Sequence, residues 1–462
     1  MTTDVPGVVP AKTGEPATFL GHPRGLFYLF STELWERYAY YGMIALLTLY
    51  MVNYLFQPGH VEHVLGYVQI KHFVETWIAH RPLSSQAFAS QVYGIYGFLV
   101  YFAPLLGGIV ADQFLGQRKA VLVGAILLAA GYFMMSVEAL FFFSIPMVFL
   151  GNGLFKPNIS TQVGNLYVHG DPRHDRAFSI FYVGINIGGV LGPLVCGTLG
   201  EEVAWSYGFI AAGVGIAAGA FIYLYGLRHL PQDALTRKRA DKVAHEPFTS
   251  MEWKRVGALL LLSLLNAFFW GVWYLQFNIM NLWADKNTER HIAMFDFTVP
   301  TTWFQTVNGI FIFALTPMIT TLWARQAARG REPNSAAKMG IGGILLGFSF
   351  LFMLAAVASL DAEMKTSMLW LIVFYAIYTA GELYFSPIGL ALVTKVSPRR
   401  IVSMMMGFWL LSYAVGNFFA GALGSYWESM SMSSFFLVSA AIPIVAGIVV
   451  LLLSRRLRPI IE

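Results

Sequence analysis

Within the run ELWERYAYYG, Glu33 is followed by Glu36, Arg37, Tyr40 and Tyr41 at offsets of three, four, seven and eight residues. At 3.6 residues per turn these side chains share one helix face. Lys156 stands in GNGLFKPNIS, next to Pro157, and Glu382 stands in YTAGELYFSPIG. All five charges fall inside otherwise apolar windows, where an ionised group costs at least about 2.5–3.5 kcal/mol and is therefore a functional candidate. They comprise three carboxylates and two fixed cations. If the five converge, one carboxylate lacks a cation and becomes a place to take up and release a proton. A static cluster of ion pairs is the competing reading, but apolar residues would hold helices together at lower cost.

Softer candidates surround these charges. Asn186 and Asn308 could hydrogen-bond a peptide-like group or simply join helices. Trp270 and Trp409 lie deep in apolar windows, away from the interfacial belt usual for tryptophan, and could line a pocket or fill a core. In GGIVADQFLG, Asp112 falls at the end of an apolar window, which suggests a hinge or gate contact. His60, His63, His72 and His80 lie with Glu62 and Glu75 in one connecting segment, without a third ligand at fixed spacing, so no metal site is expected. The single cysteine, Cys196, excludes an internal disulfide and reads as a packing residue.

The elements that must carry these residues are membrane spans. The chain has 462 residues, 57% apolar and 12% charged, against roughly 25% charged in a soluble domain. Windows long enough to cross a bilayer occur near 26–55, 90–111, 119–139, 141–165, 176–199 and 204–227. Six more follow near 254–282, 301–325, 339–359, 367–394, 401–427 and 432–454. An even number puts both termini on one side. Alternate loops hold most of the Lys and Arg residues, whereas the other set holds only Lys71, Arg81, Lys286, Arg290 and Lys365. By the positive-inside rule, both termini are then cytosolic. The expected organisation is a tail at 1–25, a six-helix bundle at 26–227, a basic linker at 228–253, a second bundle at 254–455 and a tail at 456–462. No cleavable signal peptide is expected, because the first 25 residues lack an apolar core. The basic charge is thus a matter of topology and contact with lipid headgroups, and it does not call for nucleic acid. There is no HExxH, no GxSxG and no Gly-rich phosphate loop, so neither an enzyme nor an ATP-driven pump is expected. No cofactor or metal is expected, and a monomer is.

ELWERYAYYG closely resembles the ExxER(F/Y)xYYG signature of the proton-dependent oligopeptide transporter family of the major facilitator superfamily. GGIVADQFLG, LFKPNIS and FSIFYVGINIGG resemble its next three signatures in order, and YTAGELYFSPIGLALVTKVSP is similar to another. The resemblance spans the whole chain. It implies an all-α fold of twelve transmembrane helices in two six-helix bundles, with substrate near the midplane between them. It also implies proton-driven uptake of di- and tripeptides by alternating access. Matched by position, Glu33, Glu36 and Arg37 are the proton-coupling and recognition cluster, and Lys156 is linked to the peptide carboxylate and to coupling. Glu382 is the partner of the peptide amine. Tyr40, Tyr41, Tyr101, Asn186, Trp270, Asn308 and Trp409 match pocket-lining positions. A zwitterion needs a cation and an anion set apart, and Arg37 or Lys156 facing Glu382 would supply them. The same fold carrying nitrate or an amino-acid conjugate is the alternative, although an anion needs no carboxylate partner.

Two positions depart from the family pattern. Ile44 stands where many bacterial members carry a basic residue, and Tyr274 where they carry an acid. In the family these two can pair across the halves on the outer side. Both are missing together, which avoids a stranded buried charge. The expectation is that Ile44 and Tyr274 close the outer gate without a salt bridge. Coupling then rests on Glu33, Glu36 and Glu382.

Overall fold

The computed structural model describes residues 18–168, 171, 173–231, 248–398 and 401–461. Residues 1–17 of the tail expected at 1–25, most of the linker (232–247) and Arg399 and Arg400 lie outside the described residues. The described residues form twelve long helices, α1 (Arg24–Tyr50), α2 (Ser85–Val110), α3 (Gln117–Met135), α4 (Phe141–Asn165), α5 (His174–Gly192) and α6 (Trp205–Gly226), then α7 (Ser250–Trp273), α8 (Trp303–Ala328), α9 (Ser335–Ala358), α10 (Leu369–Val396), α11 (Val402–Gly424) and α12 (Met432–Ile461). Eleven are apolar and long enough to span a membrane. The exception is α1, whose acids, arginine and tyrosines lower its hydropathy. It tolerates them because most of its residues, Glu33, Glu36 and Arg37 included, are buried in protein and away from lipid.

Local signals start several helices. Thr249 and Glu252 form a reciprocal capping box at α7, and the side chains of Ser84 and Asn334 accept the free N–H groups of α2 and α9. The first six helices pack mainly among themselves, with α1 against α5 and α6 and α3 against α4. The last six do likewise, with α9 against α10 and α12 and α7 against α11. The two sets meet where α2 packs on α11. A Cβ on Gly421 would lie 2.6 Å from Gly94 Cα, so only glycine lets these backbones approach so closely.

The span expected at 254–282 is not one helix. After Trp273 it tightens into a 3-10 turn, Tyr274–Phe277, breaks at Asn278 and resumes as a short helix, Ile279–Lys286. The break frees carbonyls, and buried ones need new donors. Tyr378 Oη donates to Trp273 O (2.5 Å), Tyr93 Oη to Tyr274 O (3.0 Å) and Thr48 Oγ1 to Phe277 O (3.1 Å). Two of these donors come from the other half, so a tertiary contact fixes the break.

Hydrogen bonds between the halves, among the described residues, gather at one end of the helices. They include Asn53 to Asp285, Arg81 to Ser425, Ser84 to Glu428, Ser90 to Asn278 and Trp303 to Thr198. At the other end, where the described chain begins and finishes, α8 presents Phe313, Met318 and Leu322 outward. The bonds between the halves therefore seal one end of the molecule. On the sealed side the segment between α1 and α2 carries the helix Tyr67–Val74. There His60 and His63 both approach Glu138, at 2.9 and 3.4 Å. Among the described residues no group of three or more His, Cys, Asp or Glu side chains is arranged to hold a metal ion.

Candidate substrate and proton site

The five intramembrane charges divide into two places. On α1, Arg37 Nε donates to Glu36 Oε2 at 2.6 Å and Arg37 Nη2 to Glu36 Oε1 at 2.5 Å, a bidentate pair. Arg37 also stands 3.6 Å from Glu33 Oε1, one turn earlier. From α4, Lys156 Nζ donates to Glu33 Oε1. Two cations thus meet two carboxylates, and the cluster is neutral. Its members are not equally accessible: the Glu33 side chain is fully buried, whereas that of Lys156 is 28% exposed. Glu33 Oε2 is buried without a hydrogen-bond partner. Tyr40 and Tyr41 lie beneath the Arg37 guanidinium, with ring centroids 4.8 and 5.9 Å away.

Glu382 stands apart, halfway along α10. Asn308 Nδ2 donates to its Oε2 at 3.0 Å and to Thr379 Oγ1 at 2.9 Å. Among the described residues no cation lies within ion-pair distance of it. The sequence tally of one carboxylate too many is resolved here: Glu382 is the one without a cation.

Glu382 opens onto a cavity of about 210 Å³ between the two halves. Of the sequence candidates, Tyr41, Tyr101, Asn186, Trp270, Asn308 and Glu382 line it. Tyr274, expected at the gate, lines it as well. An aromatic wall forms where Trp270 packs on Tyr413 (4.4 Å) and Tyr101 on Tyr274 (5.7 Å). Asn266 Oδ1 accepts from Trp270 Nε1 at 2.9 Å and fixes the indole.

Other candidates lie elsewhere. Tyr40 is buried behind Tyr41 in edge contact. Trp409 is 1% exposed and packs against Gly389 outside the lining, because α10 and α11 approach closely there. Ile44 is buried within α1. Asp112 is exposed in the wide turn Ala111–Leu115, which continues α2 at the end away from the sealed one.

Several lining residues were not singled out in the sequence. Tyr182, Ile185, Gly189 and Pro193 share the face of Asn186, Gln305 and Ile312 that of Asn308, and Ser386 and Leu390 that of Glu382. Extending the helical period from each known residue would have found them. Trp273 lies three residues after Trp270 in α7 and follows from the same period, whereas Gln276 and Phe277 had no such signal, because the regular helix period ends at the 3-10 turn that positions them.

A profile described as the POT family matches residues 118–251 and 243–442, well over half the chain. The chain belongs to the POT family. Relatives of this POT protein include a di-/tripeptide transporter of Lactococcus lactis subsp. cremoris, 29% identical over 501 residues and covering 95% of this chain and 96% of that protein. A peptide transporter of Yersinia enterocolitica subsp. palearctica is 30% identical over 512 residues, covering 94% and 95%. Among solved structures, that of a peptide transporter POT in complex with sulfate superimposes with a TM-score of 0.82 at 28% identity, covering 97% of each chain. The fold is accordingly that of the major facilitator superfamily, with two six-helix bundles, and this POT protein is a multi-pass membrane transporter and not an enzyme.

Proposed function

We propose that this POT protein is a proton-coupled symporter that imports di- and tripeptides by alternating access. The observation carrying the proposal is the division of charge: a neutral cluster of Glu33, Glu36, Arg37 and Lys156, and a separate Glu382 on the cavity wall with no cation among the described residues. A peptide's amine would complete Glu382, and Asn308 already orients that carboxylate. Its carboxylate would be drawn to Lys156, the more exposed of the two cations. Binding there competes with Glu33, which then keeps only Arg37, itself held by Glu36, and so becomes the carboxylate that takes a proton. Peptide and proton then enter together, because neither leaves an unpaired charge in the low-dielectric interior. The aromatic wall accepts varied side chains without selecting one.

In this reading both termini and the linker 228–253 are cytosolic and the protein sits in the inner membrane. The sealed end then faces outward and the state is inward-open. Uptake of a labelled dipeptide into proteoliposomes, with and without an inward proton gradient, tests the proposal. Acceleration by the gradient is the expected result, and equal rates would remove proton coupling.

A further inference from the structure

We propose that Glu201 is the outer latch of this transporter, the contact that must release before the cavity opens to the outside. It takes the place of a charged pair at Ile44 and Tyr274. This inference rests on the reading above that the sealed end faces outward.

Glu201 lies in the turn Leu199–Val203 that extends α5, in the first half. Its carboxylate reaches the start of α8, in the second half. Oε2 accepts from Thr301 N at 2.7 Å, and Oε1 accepts from Thr302 N and Thr302 Oγ1, both at 2.8 Å. Arg290 Nη1 stands 3.8 Å from Oε2. One anion thus satisfies two backbone donors immediately ahead of a long helix and meets a cation, and such charge-assisted bonds are the strong kind. Only 11% of the Glu201 side chain and 18% of the Arg290 side chain are exposed, so solvent screens the contact little.

The surroundings hold the same two elements together. Trp303 Nε1 donates to Thr198 Oγ1 at 2.8 Å. A Cβ on Gly197 would lie within 1.9 Å of Thr302 Oγ1, so the two chains touch at a point where only glycine fits. Arg290 is itself held: Nη1 donates to Val299 O at 2.8 Å and Nη2 to Asp285 Oδ1 at 3.3 Å. Asp285 Oδ2 in turn accepts from Asn53 at the end of α1, at 2.8 Å. A single network therefore ties α1 and α5 to the second half. By contrast, Ile44 offers no polar group, and Tyr274 meets Tyr93 through its backbone carbonyl and Tyr101 and Asn417 through an uncharged hydroxyl. Opening the outer side requires α5 and α8 to part, and Glu201 is the charged bond between them.

The test uses Ile312→Cys, on the cavity wall, in the full-length protein carrying Cys196→Ala, and a membrane-impermeant maleimide applied from either side. With Glu201 present, labelling is expected from the cytosolic side and slow from outside. Glu201→Ala should raise the outside rate about tenfold, and Glu201→Asp, too short to reach both N–H groups, should raise it less. Glu202→Ala, which removes the exposed neighbouring carboxylate, should leave it unchanged. Cytosolic labelling in the same preparation shows that the cavity is intact. An unchanged outside rate in a Glu201→Ala protein that still labels from the cytosol overturns the latch. If the parent labels only from outside, the orientation is wrong and the outer latch falls with it. Should Glu201→Ala fail to accumulate, Thr302→Val removes the hydroxyl donor alone. A smaller rise with it supports the latch, and no rise overturns it.

Discussion

Lys156 on α4 donates to Glu33 on α1 through one carboxylate oxygen, and the second oxygen, Oε2, is buried with no partner. The bond therefore neutralises a buried charge without satisfying it fully, and that makes it exchangeable. Removing one partner of a buried pair costs about 3–5 kcal/mol. Lys156→Ala should lower the melting temperature and abolish gradient-driven accumulation. Glu33→Gln combined with Lys156→Gln should restore stability beyond either single change while accumulation stays lost. A double variant no more stable than the singles would mean that the two charges are not energetically paired.

Glu382 has an amide donor and, among the described residues, no cation, so its natural complement is a bound amine. Glu382→Gln should weaken competition by a free dipeptide at least about tenfold, the scale of one charge-assisted hydrogen bond, and weaken its N-acetylated form far less. Competition curves for both peptides decide it. Equal losses would place the amine elsewhere.

Tyr274 is 2% exposed and packs among Tyr101, Trp270 and Trp273. An acid there would be buried without a partner. Tyr274→Glu should destabilise the protein by several kcal/mol, and Ile44→Arg added to it should recover part of the loss. Thermal unfolding in detergent measures this, and no recovery would show that the two positions do not face each other. Tyr274→Phe should cost less, since it keeps the backbone bond from Tyr93 and removes only the hydroxyl's bonds to Tyr101 and Asn417.

Gly94 and Gly421 bring α2 and α11 into backbone contact. Gly421→Leu should force the halves apart and cost more than the about 1–3 kcal/mol typical of overpacking. The expected readout is loss of monodisperse protein on size exclusion. A well-behaved variant with normal uptake would show that this approach is dispensable.

Trp270 is aimed by Asn266 into the aromatic wall. Trp270→Ala should raise affinity for peptides with bulky side chains relative to small ones, and Asn266→Ala should shift it in the same direction by less. Competition with Phe- and Ala-containing dipeptides of equal length reports the ratio, and an unmoved ratio would remove Trp270 from specificity.

What could be read without coordinates was local. Apolar windows set twelve spans, because hydropathy and helix length are properties of contiguous residues. Helical spacing alone placed Glu33, Glu36, Arg37 and Tyr41 on one face. The same spacing would have extended Asn186, Asn308 and Glu382 to most of the cavity wall. Tertiary structure decided whatever depends on residues distant in sequence. It chose which carboxylate each cation takes, pairing Arg37 with Glu36 and Lys156 with Glu33, and so left Glu382 with no cation among the described residues. It moved Trp409 out of the cavity, where helix packing buried it. It broke the helix after Trp273, because Tyr378, Tyr93 and Thr48 supply donors for carbonyls that a lone segment would have kept in the helix. And it placed Glu201 at the start of α8, a contact across about a hundred residues that no local pattern encodes.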